Sequence, residues 1–171
     1  MKKSILIGFV FILMLVAVAC SNSENTKKEL QGSDEVIEFG NRIARMMNAR
    51  EYDDICEYWS QAYVELGEAK YKKSSIELIK DYRVNCTNLK VEDASVESID
   101  IYEISENEKI YSIVISVYGY KNNTRSYMEE IIYVFKEDGE FVFSNAAIPL
   151  KDVIELSKSK YGFSSPVSED E

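Results

Sequence analysis

The residues able to do chemistry here are carboxylates, tyrosines and three cysteines. Histidine is absent from all 171 residues. That excludes Ser-His-Asp and Cys-His nucleophilic catalysis and every histidine-containing metal site. Two cysteines beyond Cys20 are too few soft ligands for a metal centre, so no metal and no cofactor is expected. What remains is acid–base work by a carboxyl group with a tyrosine as partner, which needs a carboxyl buried enough to hold its proton near neutrality. The pointed pair is Glu129 and Glu130. Neighbours on a strand face opposite sides, so one of the two meets the covered face of a sheet, between Tyr127 and Ile131 or between Met128 and Ile132. The plainer reading leaves both at an exposed strand end after the Asn122-Asn123 turn. Asp93 and Asp100 carry the same ambiguity. Tyr58, Trp59 and Tyr63 lie together on a helical stripe; they read first as core and second as pocket lining, Trp59 and Tyr63 above all.

Cys20 belongs to a different chemistry. Lys2 and Lys3 precede an uncharged run of 15 residues, Ile5 to Ala19. A spanning helix needs roughly 20 apolar residues, so the run is short for a permanent span. Charge, run length and the small residues that close it have the layout of a secretory signal peptide. The string Ala17-Val18-Ala19-Cys20 resembles the lipobox of bacterial lipoproteins, with Ala17 where that family usually has Leu. The resemblance implies cleavage after Ala19, acylation of Cys20 and display at the cell membrane or outer membrane. Cleavage would leave 152 residues and a charge of −12, because Lys2 and Lys3 leave with the signal. So acidic a chain is repelled by an anionic bilayer, and the lipid must hold it there. The same acidity argues against a nucleic-acid partner.

With Cys20 taken, Cys56 and Cys86 form an even pair in an exported domain, which favours a disulfide. They lie 30 residues apart, and closing that loop is worth about 3.6 kcal/mol by chain entropy. Two buried free thiols are the alternative, since cysteine often serves as a small apolar core residue. Asn85-Cys86-Thr87 and Asn122-Asn123-Thr124 match the N-glycosylation pattern, which a bacterial lipobox makes irrelevant.

These side chains need a scaffold. Residues 20–33 are polar and read as a tether, and 164–171 as a disordered acidic tail, leaving one domain over 34–163. Ser33 caps a first helix with Asp34 and Glu35 in its first turn and a stripe of Val36, Phe39, Ile43 and Met47. A second helix runs from Tyr52 to Leu66 on Ile55, Tyr58, Trp59 and Ala62, with Gly67 as its stop. Ser74 and Glu77 form a capping box for a third, with Ile76, Ile79 and Tyr82, to about Asn85. From Leu89 the period becomes two. Strands are expected over Val91–Ile104 (with a bulge between Val96 and Ile99), Ile110–Tyr120, Ser126–Lys136 and Phe141–Ala147, with Asp138-Gly139 as a hairpin turn. A short helix around Val153, Ile154 and Leu156 closes the chain.

This is an α+β plan: N-terminal helices packed on a four-stranded antiparallel sheet. The helix order, the Glu51–Ser60 segment, the capped Ser74–Ile79 helix and the long hairpins together resemble the nuclear-transport-factor-like (SnoaL-like, cystatin-like) cone fold over about Asp34 to Ala147. That resemblance implies a curved sheet wrapping a long helix, with one end open as a pocket, and pairing of copies through the outer sheet face as a homodimer. The functional expectation is a non-enzymatic module of the cell envelope that binds a small apolar ligand or a partner protein. A small acid–base enzyme of isomerase or dehydratase type, or an accessory subunit of an envelope assembly, is the alternative.

Overall fold

The computed structural model describes Leu30 and residues 32–167. The lipobox and Cys20 lie outside the described residues. Helix α1 (Asp34–Ala49) is followed by α2 (Tyr52–Cys56), α3 (Gln61–Tyr71) and α4 (Ser75–Leu89). Then come β1 (Val91–Ser105), β2 (Glu108–Lys121), β3 (Thr124–Glu137), β4 (Glu140–Asn145), α5 (Leu150–Lys160) and the two-residue β5 (Phe163–Ser164). The sheet is antiparallel in the order β1-β2-β3-β4, and β5 pairs with β3 at Lys136 and Glu137. The sheet therefore has five strands where four are expected from the sequence. The fifth takes up the stretch of β3 beyond Val134, where pairing with β2 ends.

Helix α1 forms as its stripe dictates. Ser33 Oγ accepts from the Val36 amide, and Val36, Phe39, Gly40, Ile43, Ala44 and Met47 are buried. They meet the odd-numbered face of β2, where Tyr111, Ile113, Ile115 and Val117 are also buried. Gly40 lets the helix come close, since a methyl group there would lie 3.1 Å from Ile113 Cδ1 and 3.3 Å from Val96 Cγ2. Register shifts break the β1–β2 ladder at three places, one of them between Val96 and Ser98, inside the expected bulge. The turns at Asn122-Asn123 and Asp138-Gly139 hold both central residues at positive φ, as tight two-residue hairpins require.

The second helix departs from its expected course. It stops at Cys56, because the chain at Tyr58–Ser60 pairs with β4: Phe143 N–H donates to the Tyr58 carbonyl at 2.8 Å and Ser60 N–H to the Phe143 carbonyl at 2.9 Å. Ser60 then caps a new helix, accepting from the Tyr63 amide at 3.1 Å. That helix continues through Gly67 to Tyr71, so Gly67 is no stop. A methyl group on it would meet Leu78 Cδ1 at 3.1 Å, which makes it the contact point for α4. Helix α4 has its capping box, with Ser74 N–H donating to Glu77 Oε2 at 2.9 Å. It reaches Leu89 and so includes Cys86. Its packed side is Leu78, Ile79, Tyr82, Cys86 and Leu89, while Ile76 is 76% exposed and outside the stripe.

Two polar devices fasten these pieces. Glu137, 4% exposed, accepts from Ser60 Oγ at 2.8 Å and from the Gln61 amide at 2.7 Å, placing an anion at the N-terminus of α3 where the helix dipole favours it. The Asn48 side chain donates to the Ala94 carbonyl at 2.9 Å and accepts from the Ala94 amide at 2.7 Å, satisfying the free edge of β1.

Candidate functional site

A cavity of about 740 Å³ lies between α4, the end of α1 and the far ends of β2 and β3. That size is in the range of small-molecule sites. Its walls are largely apolar, including Met47, Leu89, Val91, Val117, Met128 and Ile131, with Asn85, Asn88 and Asn145 as amides and Tyr52 and Tyr82 as phenols. Glycine makes room at its side: a methyl group on Gly119 would lie 2.7 Å from the Leu89 carbonyl oxygen and 2.9 Å from that of Lys90, so the C-terminal end of α4 sits directly on β2.

Glu130 is the group of interest. It pairs in register with Ile115 on the helix-covered face of the sheet, flanked by Met128 and Ile132. The stretch from Thr124 to Ile131 is mostly exposed, as the plainer expectation has it, with Glu130 half-buried within it, and the register selects between the two neighbour sets. Among the described residues Glu130 makes no hydrogen bond and no ion pair, and burial alone pushes its carboxyl up to about 7. Its charge is felt across the cavity wall. It contributes to the raised positions of Tyr63 (about 12), Cys56 (about 12), Cys86 (about 11) and Tyr82, in each of which burial is the largest cause.

Glu129 borders the same cavity, but its carboxylate accepts from Tyr127 Oη at 2.8 Å. Glu97 lies 3.1 Å from the same hydroxyl and shares its single proton, and Ser116 Oγ donates to Glu97 as well. This network lies on the opposite sheet face, so the two adjacent acids have separate surroundings. Asp93 is exposed and Asp100 half-buried on β1; neither borders the cavity. Trp59 and Tyr63 are buried and line a smaller neighbouring cavity of about 250 Å³, which shares Tyr82, Asn85, Asn145 and Ala147 with the larger one. Trp59 stacks edge-on against both Tyr63 (5.6 Å) and Tyr82 (5.3 Å), and Tyr63 Oη donates to Asn145 Oδ1 at 3.0 Å. The structure thus joins Trp59, Tyr63 and Glu130 in one wall system.

Cys56 is buried and Cys86 half-buried, and no bridge joins them in this structure. Cys56 Sγ donates to the Tyr52 carbonyl one helical turn back, at 3.2 Å. Each thiol therefore behaves as a small apolar group with a weak donor. Cys86 borders the cavity beside Tyr82, whose hydroxyl makes no hydrogen bond of good geometry among the described residues; the Cys86 thiol is part of its surroundings and adds to its rise. Tyr52 Oη and Trp59 Nε1 are likewise buried without a partner. Among the described residues no cluster of three His, Cys, Asp or Glu is placed to hold a metal, and no helix is long and apolar enough to cross a membrane.

Tyr82, Asn85 and Asn145 are the site residues that sequence reasoning missed as such. Tyr82 sits on the expected α4 stripe, and a stripe at helical period reads as core. No protein family, no curated protein and no solved structure matches this chain.

Proposed function

We propose that this chain is a lipid-anchored envelope protein, held through Cys20, whose α+β domain binds a small, largely apolar molecule in the cavity over Glu130. The observation that carries the reading is the cavity itself: about 740 Å³, open to solvent, walled by apolar side chains and furnished with the half-buried carboxyl of Glu130 and two phenols, none of which makes a hydrogen bond of good geometry among the described residues. Unpaired buried polar groups cost folding free energy, and a bound molecule is a natural partner for them. The likeness of element order to the cone fold, whose open end forms a pocket, supports the same reading. Among the described residues the buried apolar core lies within Val36–Ile154, and residues 21–171 are used for the test. The purified domain is titrated with the neutral reporter 1-N-phenylnaphthylamine. Saturable fluorescence enhancement, lost when Met128→Trp fills the cavity, is expected; no binding by the unaltered domain refutes the reading.

The second reading is acid–base catalysis, and the position of Glu130 favours it: a carboxyl that titrates near neutrality in an apolar pocket suits proton abstraction beside a carbonyl. No phenol donates to Glu130, so the proton-relay half of that machinery is unformed. Deuterium exchange into simple ketones, present in the unaltered domain and lost in Glu130→Gln, would promote this reading over simple binding. Docking of an envelope protein or a second copy is a third, on the outer face where Tyr102 and Tyr127 are exposed.

A further inference from the structure

We infer that the cavity selects molecules that carry a cationic nitrogen on an apolar body, with the Glu130 carboxylate as counter-ion. This rests on the reading of the cavity as a binding site and names its ligand class. Glu130 stands on β3 with Met128 and Ile132 at its sides and Ile115 across the ladder, so its strand neighbours offer it no donor. From the elements packed over it, Cys56 on α2, Tyr63 on α3 and Tyr82 and Cys86 on α4 feel its charge, and Tyr52 on α2 lines the same cavity. All of these are neutral at physiological pH. The other charged groups near the cavity are Lys121, exposed at the end of β2, Arg50, whose charge reaches Tyr52, and Glu129 on β3, whose carboxylate turns to the opposite sheet face.

Charge complementarity then decides among ligands. An anion would meet the Glu130 carboxylate, with one solvated lysine at the rim to offset it. A neutral apolar molecule would displace water from Glu130 and leave it unpaired, which is the costly arrangement for a buried charge. A protonated amine supplies the missing partner and up to three donors. A bare metal ion is disfavoured, since a lone carboxylate offers too few ligands. The proton linkage has a definite sign. The ionised carboxyl is the form that pairs, an alkylammonium stays charged throughout, and a carboxyl titrating at about 7 is about half ionised at pH 7 and about 1% at pH 5. Affinity for an amine therefore falls roughly fifty-fold from pH 7 to pH 5.

Three indoles with similar apolar bodies test this on residues 21–171: tryptamine, 3-methylindole and indole-3-acetate, measured by calorimetry and by displacement of 1-N-phenylnaphthylamine. Tryptamine is expected to bind at least tenfold more tightly than 3-methylindole, with indole-3-acetate weakest. The preference should vanish in Glu130→Gln, which retains the reporter signal, and should shrink as pH falls from 7 to 5. Equal affinities, tighter binding of the acid, a preference that survives Glu130→Gln, or reporter binding with no indole bound would each overturn the inference while leaving the cavity a binding site. Failure of the reporter itself to bind would remove the binding reading and this inference with it.

Discussion

Replacing Glu130 by Gln should stabilise the domain at high pH and leave it unchanged at low pH. The side chains are nearly the same size, so the substitution removes a charge and keeps the packing. Burial raises the carboxyl from 4.5 to about 7. At 1.36 kcal/mol per pH unit, the ionised form costs the fold roughly 3 kcal/mol relative to the unfolded chain. A carboxyl raised in the folded state favours folding fully below pH 4.5, and that contribution is lost as pH rises through about 7. The cavity is open and water relaxes part of the cost, so the expected gain for Gln is about 1–3 kcal/mol at pH 8 and near zero at pH 4. For a domain of this size that is about 3–10 °C in Tm. Urea unfolding of both proteins at half-unit steps from pH 4 to pH 8.5 reads the difference directly, because every other titrating group cancels. A difference that does not change with pH, or a Gln variant that is less stable at pH 8, would refute the account of Glu130 as a desolvated and unpaired carboxyl.

Four other outcomes follow from the same geometry. Gly119→Ala should cost about 2–3 kcal/mol in thermal unfolding, because the new methyl group meets two backbone carbonyls of the α4 end that cannot turn aside. Glu137→Gln should cost about 1–3 kcal/mol in urea unfolding, since the amide brings its own N–H groups to a site where Ser60 and Gln61 already donate. Cys56 and Cys86, both raised by burial, should react slowly with iodoacetamide in the folded protein and completely on unfolding without reductant; a chain two hydrogens lighter with neither thiol labelled would restore the bridge. Cys20→Ser should abolish palmitate incorporation and move the protein from the membrane to the soluble fraction, with the Tm of the domain unchanged.

The elements legible in the sequence are those governed by local chemistry. The α1 stripe, the Ser74–Glu77 capping box, the Asp138-Gly139 hairpin and the bulge near Val96 each depend on residues within a few positions of one another. The failures all involve partners far along the chain. The break at Trp59 is made by β4, some eighty residues later; without the pairing to Phe143, Tyr52–Leu66 reads as one helix. Gly67 resembles a stop until Leu78 is seen against it. Asn48 and Glu137 read as ordinary polar surface, because nothing local shows the Ala94 edge or the α3 N-terminus they satisfy. For the site, strand parity restricted Glu129 and Glu130 to opposite faces, but the choice between them depended on the β2–β3 register and on α4 covering that end of the sheet.

That last point also explains why a cavity forms where it does. Helix α1 has 16 residues and spans about 24 Å, whereas β2 and β3 have 14 residues each and span about 45 Å. One helix cannot cover such strands. Its last turn reaches β1 near Ala94, through Asn48, and Ala94 pairs with Val117; the sheet beyond Val117 must be covered by something else. Helix α4 supplies the cover only along one side, with its end pressed on Gly119. The space between the end of α1 and the inner side of α4 is the cavity, and Glu130 faces it from β3 beside Met128. An apolar residue at 130 would remove that folding cost of about 1–3 kcal/mol at neutral to alkaline pH. A carboxyl held there against that gradient is what a binding or proton-transfer site requires, since such sites are built at the expense of stability. Length mismatch creates the opening, and Glu130 gives it chemistry.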